Sequence, residues 1–268
     1  MFAAKDGLVW PADVGMLLVG HGSRDETGNR EFLQTARRVA EGAVRAAVEP
    51  SFLEFAQPNI AKGLERLARR EARTIVVVPV ILFAAGHAKR DIPVAVAQAA
   101  ARHPGITVAH SEHLGCHGAI LELSGRRFDE ATRNRAGAKD RTVLVMVGRG
   151  SHDADATAEM QRFVGSCRQA SQARRAIACF VAMAEPSLSE ALDEAVSDGA
   201  ARVVVQPHFL FGGVLVDRIR QAVDEYRARH PRVDWITTGH LGPSNCLVQA
   251  ILERAANALP MSRGRKTS

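Results

Sequence analysis

The sequence predicts an α/β protein of two tandem lobes, each a four-stranded parallel sheet flanked by helices, facing each other across a cleft. Three observations lead there. Blocks of sequence recur in the same order: LLVGHGSRD (17–25) matches VMVGRGSHD (145–153), FLEFAQP (52–58) matches FVAMAEP (180–186), and TIVVVPVILF (74–83) matches RVVVQPHFLF (202–211), all at a shift of 148 − 20 = 128. A fourth block, ARHPGITVAHSEHLG (101–115), matches ARHPRVDWITTGHLG (228–242) at 240 − 113 = 127, so one residue is lost after the third strand. A recurring block order of this kind marks a duplicated unit. Within each copy, short β-rich apolar runs alternate with polar-faced helical stretches, the pattern of Rossmann-like βαβ crossovers. The 268 residues, 46% hydrophobic and 24% charged, suit two ordinary globular domains.

In the first copy, the apolar run 16–20 predicts a strand ending in a glycine-containing turn, followed by a helix over 27–47. A second strand is expected over 51–55, with Pro58 at the following helix start, where its missing N–H costs nothing. The third run, 74–82, is nearly continuous Ile and Val and reads as a strand buried on both faces. A fourth strand over 106–110 precedes a helix over 119–133, and the second copy repeats the series. The lobes are expected to span 14–136 and 140–258, joined through the loop 133–140 with Gly137 and the basic residues Arg133, Arg135, Lys139 and Arg141.

Composition excludes several classes. No apolar run approaches the roughly 20 residues that span a bilayer, and Lys5 and Asp6 interrupt the N-terminal stretch where a signal peptide is apolar. The expectation is a cytoplasmic protein without membrane association. Cys116, Cys167, Cys179 and Cys246 are widely spaced with no CxxC pair, which argues against a zinc ribbon, a cluster or a disulfide framework. The net charge of +6 comes from basic residues interleaved with acids, as in RRFDEATRNR, and aromatics make up 5% of the chain, so nucleic acid is not an expected partner. An anionic small molecule fits the charge equally well.

In parallel sheets, ligands collect beyond the carboxyl ends of the strands. After the first strand stands Gly20-His21-Gly22-Ser23-Arg24, after the third Gly86-His87-Ala88-Lys89-Arg90, and Glu54 falls within the expected second strand among bulky apolar neighbours. Two imidazoles and a carboxylate are a recurring first-row metal set. The second copy is an internal control: at the 128 shift His21 becomes Arg149, Glu54 becomes Ala182 and His87 becomes Leu215. Framework residues would persist in both copies, whereas a single site would survive in one. His113 and His240, at equivalent HLG positions, read as shared framework, and His103 and His230 as helix C-terminal residues. His117 and His208 are further cleft candidates, and His152 stands where Arg24 does.

The motifs LLVGHGSR, FLEFAQP and PVILFAAGHAKRDIP resemble the CbiX-type sirohydrochlorin chelatases of the class II chelatase superfamily. VGRGSHDADA, AEPSLSEAL and PHFLFGGVLVDRI resemble the degenerate second half of the long, two-repeat members, and the resemblance runs from about residue 14 to 256. It implies chelatase-like lobes and a lyase that inserts a divalent metal, usually Co²⁺, into sirohydrochlorin on the way to cobalamin; relatives insert Fe²⁺ for sirohaem, or Ni²⁺. The family's metal-site histidines map onto His21 and His87, and its strand-two glutamate onto Glu54, giving His21, Glu54 and His87 as the catalytic set. The metal is then a substrate, no cofactor is permanently bound, and the partner is a small tetrapyrrole. Arg24, Lys89 and Arg90, with the Gly22 and Ser23 backbone, are candidates to hold its carboxylates. The chain lacks the His-rich segment and Cys-rich tail of some long members. Two fused copies can complete a cleft within one chain, so a monomer is expected.

Four other readings compete. A ferrochelatase or a non-catalytic metal or tetrapyrrole carrier would use the same groups. A histidine phosphatase would want arginine before His21, where Gly20 stands, and a dinucleotide site would want the third glycine that GHGSRD lacks.

Overall fold

The computed structural model describes residues 8–83, 86–133, 135 and 141–259, without the side chains of 8, 87 and 88. The first lobe runs β1 (Leu8–Val9), β2 (Val14–Gly20), α1 (Glu26–Gly42), β3 (Ala43–Val44), β4 (Ala47–Phe52), α2 (Ile60–Arg69), β5 (Thr74–Pro79), a π-helical turn at His87–Asp91, α3 (Ile92–Ala100), β6 (Thr107–His110) and α4 (Gly118–Thr132). The second runs β7 (Thr142–Gly148), α5 (Ala154–Ser171), β8 (Arg175–Phe180), α6 (Leu188–Ser197), β9 (Arg202–Pro207), α7 (Val214–Arg229), β10 (Asp234–Thr237) and α8 (Asn245–Ala258). Each lobe is a four-stranded parallel sheet, ordered β4-β2-β5-β6 and β8-β7-β9-β10, so equivalent strands hold equivalent places. The two-lobed α/β architecture read from the repeat is the one observed. Of the loop expected between the lobes, 133–140, residues 134 and 136–140 lie outside the described residues.

Local boundaries differ from expectation in instructive ways. The first helix stops at Gly42 rather than running to 47, because Ala43 and Val44 pair with Leu8 and Val9 and Arg45 turns the chain at φ +75°. The second strand begins at Ala47, pairing Val48, Glu49 and Pro50 with Met16, Leu17 and Leu18, and ends at Phe52. Its buried Glu49 is held by Arg70 at 3.1 Å and Arg66 at 3.5 Å, which satisfies a carboxylate that would otherwise be costly there. Helix α2 is capped by Asn59, whose side chain accepts from the Lys62 N–H at 2.9 Å, so Pro58 precedes the cap instead of opening the helix. The third strand ends at Pro79.

Apolar side chains pack in three bodies. On the outer face of the first sheet, Leu17, Val19, Ile75 and Val77 meet α2 and α3 through Leu64, Leu67 and Val96. The second sheet has the same arrangement, with Val145, Val147 and Val205 against Leu192 and Ile219 of α6 and α7. Both inner faces share one central core, in which Met16, Leu18, Val76, Met146 and Val204 close on Phe32 of α1, Ile120 of α4, Phe163 of α5 and Ile251 of α8. The result is a helix–sheet–helix–sheet–helix stack whose middle layer belongs to both lobes.

Polar contacts across the middle layer come in equivalent pairs. His113 Nε2 bonds Glu159 at 2.8 Å, and His240 Nε2 bonds Glu31 at 3.0 Å. Arg127 donates to the carbonyls of His240 and Leu241, and Arg254 to that of Leu114. Each lobe thus gives the other what it receives, as in an isologous dimer fused into one chain. The shared histidines are interlobe clamps. No helix among the described residues is long and apolar enough to cross a membrane.

Candidate active site

Strand β2 delivers His21 one residue beyond its last pair. The parallel ladder continues past the strand ends: the Leu53 N–H donates to the Gly20 carbonyl at 2.9 Å, and the Glu54 N–H to that of His21 at 3.0 Å. These bonds fix the two candidate residues side by side. Glu54 therefore lies in the loop after β4, not within a strand among apolar neighbours; the apolar run Phe52-Leu53-Glu54-Phe55 mimics strand patterning, but the chain turns at Phe55, φ +61°. Gly22 sits at φ +88°, and a Cβ there would stand 1.8 Å from the Glu54 carbonyl oxygen, so only glycine allows this approach. The turn is locked by Asn29, which accepts from the Ser23 N–H at 3.0 Å and donates to the Ser23 carbonyl at 2.7 Å, and by Asp25, which caps α1.

His21 Nε2 lies 3.4 Å from Glu54 Oε1, with side chains 35% and 42% exposed, while Nδ1 lies 3.2 Å from the Gly22 carbonyl oxygen. With the Nδ1 proton given to that carbonyl, the Nε2 lone pair faces a carboxylate oxygen. Two electron-pair donors so disposed are relieved by a cation between them, and a backbone carbonyl on the other nitrogen is the usual partner of a metal-binding imidazole. Phe55, 54% exposed in a left-handed conformation rare for a bulky residue, stacks on the His21 ring and lies under the Arg24 guanidinium at 5.3 Å.

The third candidate, His87, opens the π-helical turn His87–Asp91; its side chain lies outside the described residues. The equivalent stretch of the second lobe is ordinary α-helix within α7. Pro93 accounts for the difference: it has no N–H for the Lys89 carbonyl, and its ring crowds that group, so the turn widens. Wide turns of this type concentrate at functional sites. Among the described residues, no three His, Cys, Asp or Glu side chains form a metal-holding group.

These turns open into a cavity of about 570 Å³ between the lobes, lined by His21, Gly22, Ser23 and Arg24 from one side and Arg149, Ser151, Thr157 and His208 from the other. Seven of the chain's ten phenylalanines line it, among them Phe55, Phe180 and Phe211, and no Asp or Glu does among the described residues. A flat, apolar-faced, anionic ligand suits such walls. Lys89 and Arg90 do not line the cavity: Lys89 reaches across to Asp153 at 2.9 Å and Asp155 at 3.0 Å, and Arg90 meets Asp91 at 3.7 Å. The bond to Asp153 raises the Lys89 pKa and lowers that of Asp153. His117 is also outside the cavity; it caps α4 and meets Glu253 at 3.2 Å.

His208 lies deeper than sequence suggests. It is fully enclosed between Phe83 and Phe163, neither ring nitrogen has a partner among the described residues, and burial pushes its pKa down to about 3. Its counterpart in the first lobe is Val80, which shows that the position itself is apolar.

The CbiX family model matches residues 15–131 and again 143–258. The sirohydrochlorin cobaltochelatase of Priestia megaterium is 31% identical over 245 residues, covering 91% of this chain and 79% of its own length. The sirohydrochlorin ferrochelatase of Bacillus subtilis is 28% identical over 250 residues, covering 91% and 92%. The solved structure of SirB from Bacillus subtilis with Fe³⁺ superposes with a TM-score of 0.83 at 26% identity, covering 94% of this chain and 98% of that one.

Two predictions follow from this geometry. Gly22→Ala and Gly150→Ala force the same clash, since a Cβ at Gly150 would meet the Ala182 carbonyl at 1.7 Å, and each should cost about 1–3 kcal/mol in urea unfolding. Only Gly22→Ala should also weaken Co²⁺ binding, by roughly tenfold or more in calorimetry; equal ion affinity in the two variants would detach the turn from metal binding. For His208, the unfolded chain takes up a proton below about pH 6.5 while the folded protein does not until about 3, so stability falls as pH drops through that window. His208→Leu should lose less stability than wild type between pH 7 and 4.5, by up to about 1.4 kcal/mol per pH unit below 6.5; parallel pH profiles would contradict the burial argument.

Proposed function

Because the chain belongs to the CbiX family, we propose that it is a sirohydrochlorin chelatase that inserts a divalent metal, Co²⁺ in preference to Fe²⁺, into the macrocycle. The observation that carries this reading is His21, paired with Glu54 just outside the lining, at one wall of an aromatic cavity that no Asp or Glu lines among the described residues, with the equivalent Arg149 on the opposite wall. Nitrogen and oxygen donors bind first-row ions without the trapping softness of thiolate, and partial exposure lets bound water leave. Higher identity to the cobaltochelatase (31%) than to the ferrochelatase (28%) supports cobalt. Iron is the competing reading, since the same donors accept both ions.

The proposed chemistry divides into three tasks. Phenylalanine faces enclose the macrocycle and exclude water, and Arg24, with the Gly22 and Ser23 backbone, engages its carboxylates. His21 Nε2 and Glu54 hold the ion, joined by His87 from its widened turn, and release it as the pyrrole nitrogens replace them. Insertion of M²⁺ expels two pyrrole protons, and Glu54 and His21 Nε2, both freed of the metal, are the bases positioned to take one each before passing them to solvent. In this reading both lobes of one chain complete the cleft, and the protein works as a monomer.

His21→Ala and His87→Ala should each lower the rate of Co²⁺ insertion by roughly a hundredfold or more, with Glu54→Gln lower by at least tenfold, followed as the spectral conversion of metal-free sirohydrochlorin at substoichiometric protein. Near-wild-type turnover in His21→Ala would overturn the assignment. Stoichiometric binding without turnover in the wild type would instead make the protein a carrier.

A further inference from the structure

We propose that Arg149 is the second lobe's receptor for a carboxylate of the substrate, so that the duplicated turn holds metal in one copy and the macrocycle's anionic edge in the other. The inference deepens the chelatase reading and rests on it for the identity of the ligand.

The backbone of the turn is the same in both copies. Gly150 stands at φ +91° as Gly22 does at +88°, and the Ala182 N–H donates to the Arg149 carbonyl at 3.0 Å as the Glu54 N–H does to His21. Arg149 therefore springs from the place His21 holds, on the opposite wall of the cavity, and lines it. Its position explains what changed around it. The residue that would face it, by analogy with the 3.4 Å His21–Glu54 pair, is Ala182, so the acid that could neutralise the guanidinium has gone. Arg149 makes no side-chain hydrogen bond or ion pair among the described residues, whereas Lys89, near the same helix, is taken up by Asp153 and Asp155. No Asp or Glu lines the cavity among the described residues, so in this proposal the carboxylate that meets Arg149 arrives with the ligand. A guanidinium presents a planar pair of donors matched to one carboxylate, a geometry that an imidazole lacks. Ser151 and Thr157, beside it in the lining, add hydroxyl donors.

The test is a titration of metal-free sirohydrochlorin into wild type, Arg149→Ala and Arg149→Lys, read by the absorbance of the macrocycle, together with KM and kcat for Co²⁺ insertion and calorimetric Co²⁺ binding. Arg149→Ala should raise the Kd and KM for the tetrapyrrole roughly ten- to a hundredfold, leave Co²⁺ affinity within twofold, and flatten the salt dependence of binding; Arg149→Lys should fall between. A tetrapyrrole Kd within twofold of wild type in Arg149→Ala would overturn the proposal. A wild type that binds sirohydrochlorin but inserts no metal would sink the chelatase reading alone, because the effect of Arg149→Ala on the Kd would still decide this one.

Discussion

Each sheet in this protein has two apolar faces, and the outer one is covered by two helices of its own lobe, α2 and α3 in the first and α6 and α7 in the second. The inner faces of both are closed by one layer, α1, α4, α5 and α8, whose buried side chains form a single core with Met16, Val76, Met146 and Val204. Everything else depends on that shared burial. It sets the lobes face to face, brings the carboxyl ends of both sheets to one cavity, and orders the reciprocal clamps His113–Glu159 and His240–Glu31. Apolar area is the driving term and the clamps give register, since half-buried ion pairs contribute modestly while hydrophobic burial scales with area.

Within that frame the turns after β2 and β7 share one backbone and differ in chemistry. Both need a glycine whose missing Cβ admits the carbonyl of the neighbouring loop, Glu54 in one lobe and Ala182 in the other. A shared backbone geometry with exchanged side chains sets His21 and Arg149 at opposite walls of one cavity, which is the basis for proposing two different receptors. The first lobe adds the widened turn at His87–Asp91, where the second keeps a regular helix. The two lobes thus differ at these turns in a few side chains and one proline, with the packing left intact.

Much of this was legible in the sequence, and the failures have physical causes. The buried Ile and Val runs, the glycine turns and the block order specify eight strands in two sheets, because burial on both faces leaves a continuous apolar signature. Comparing the copies singles out His21, Glu54 and His87 as candidates, and the structure brings His21 and Glu54 side by side. What composition could not carry was conformation decided by single residues: Phe55 reads as strand but adopts a left-handed φ, which moves Glu54 out of the strand and into the open. Helix α1 reads through Ala43 and Val44 because their partners, Leu8 and Val9, are distant in sequence. Lys89 reads as a candidate carboxylate anchor, and its ion pairs are invisible in the sequence because Asp153 and Asp155 belong to the other lobe.

The central claim is that one lobe alone holds metal, at His21. Crystals grown with Co²⁺ and measured at the cobalt absorption edge test it directly. The account predicts one dominant anomalous peak about 2.0–2.2 Å from His21 Nε2, with Glu54 beside it. A peak at the Arg149 turn, or equal peaks in both lobes, would contradict it.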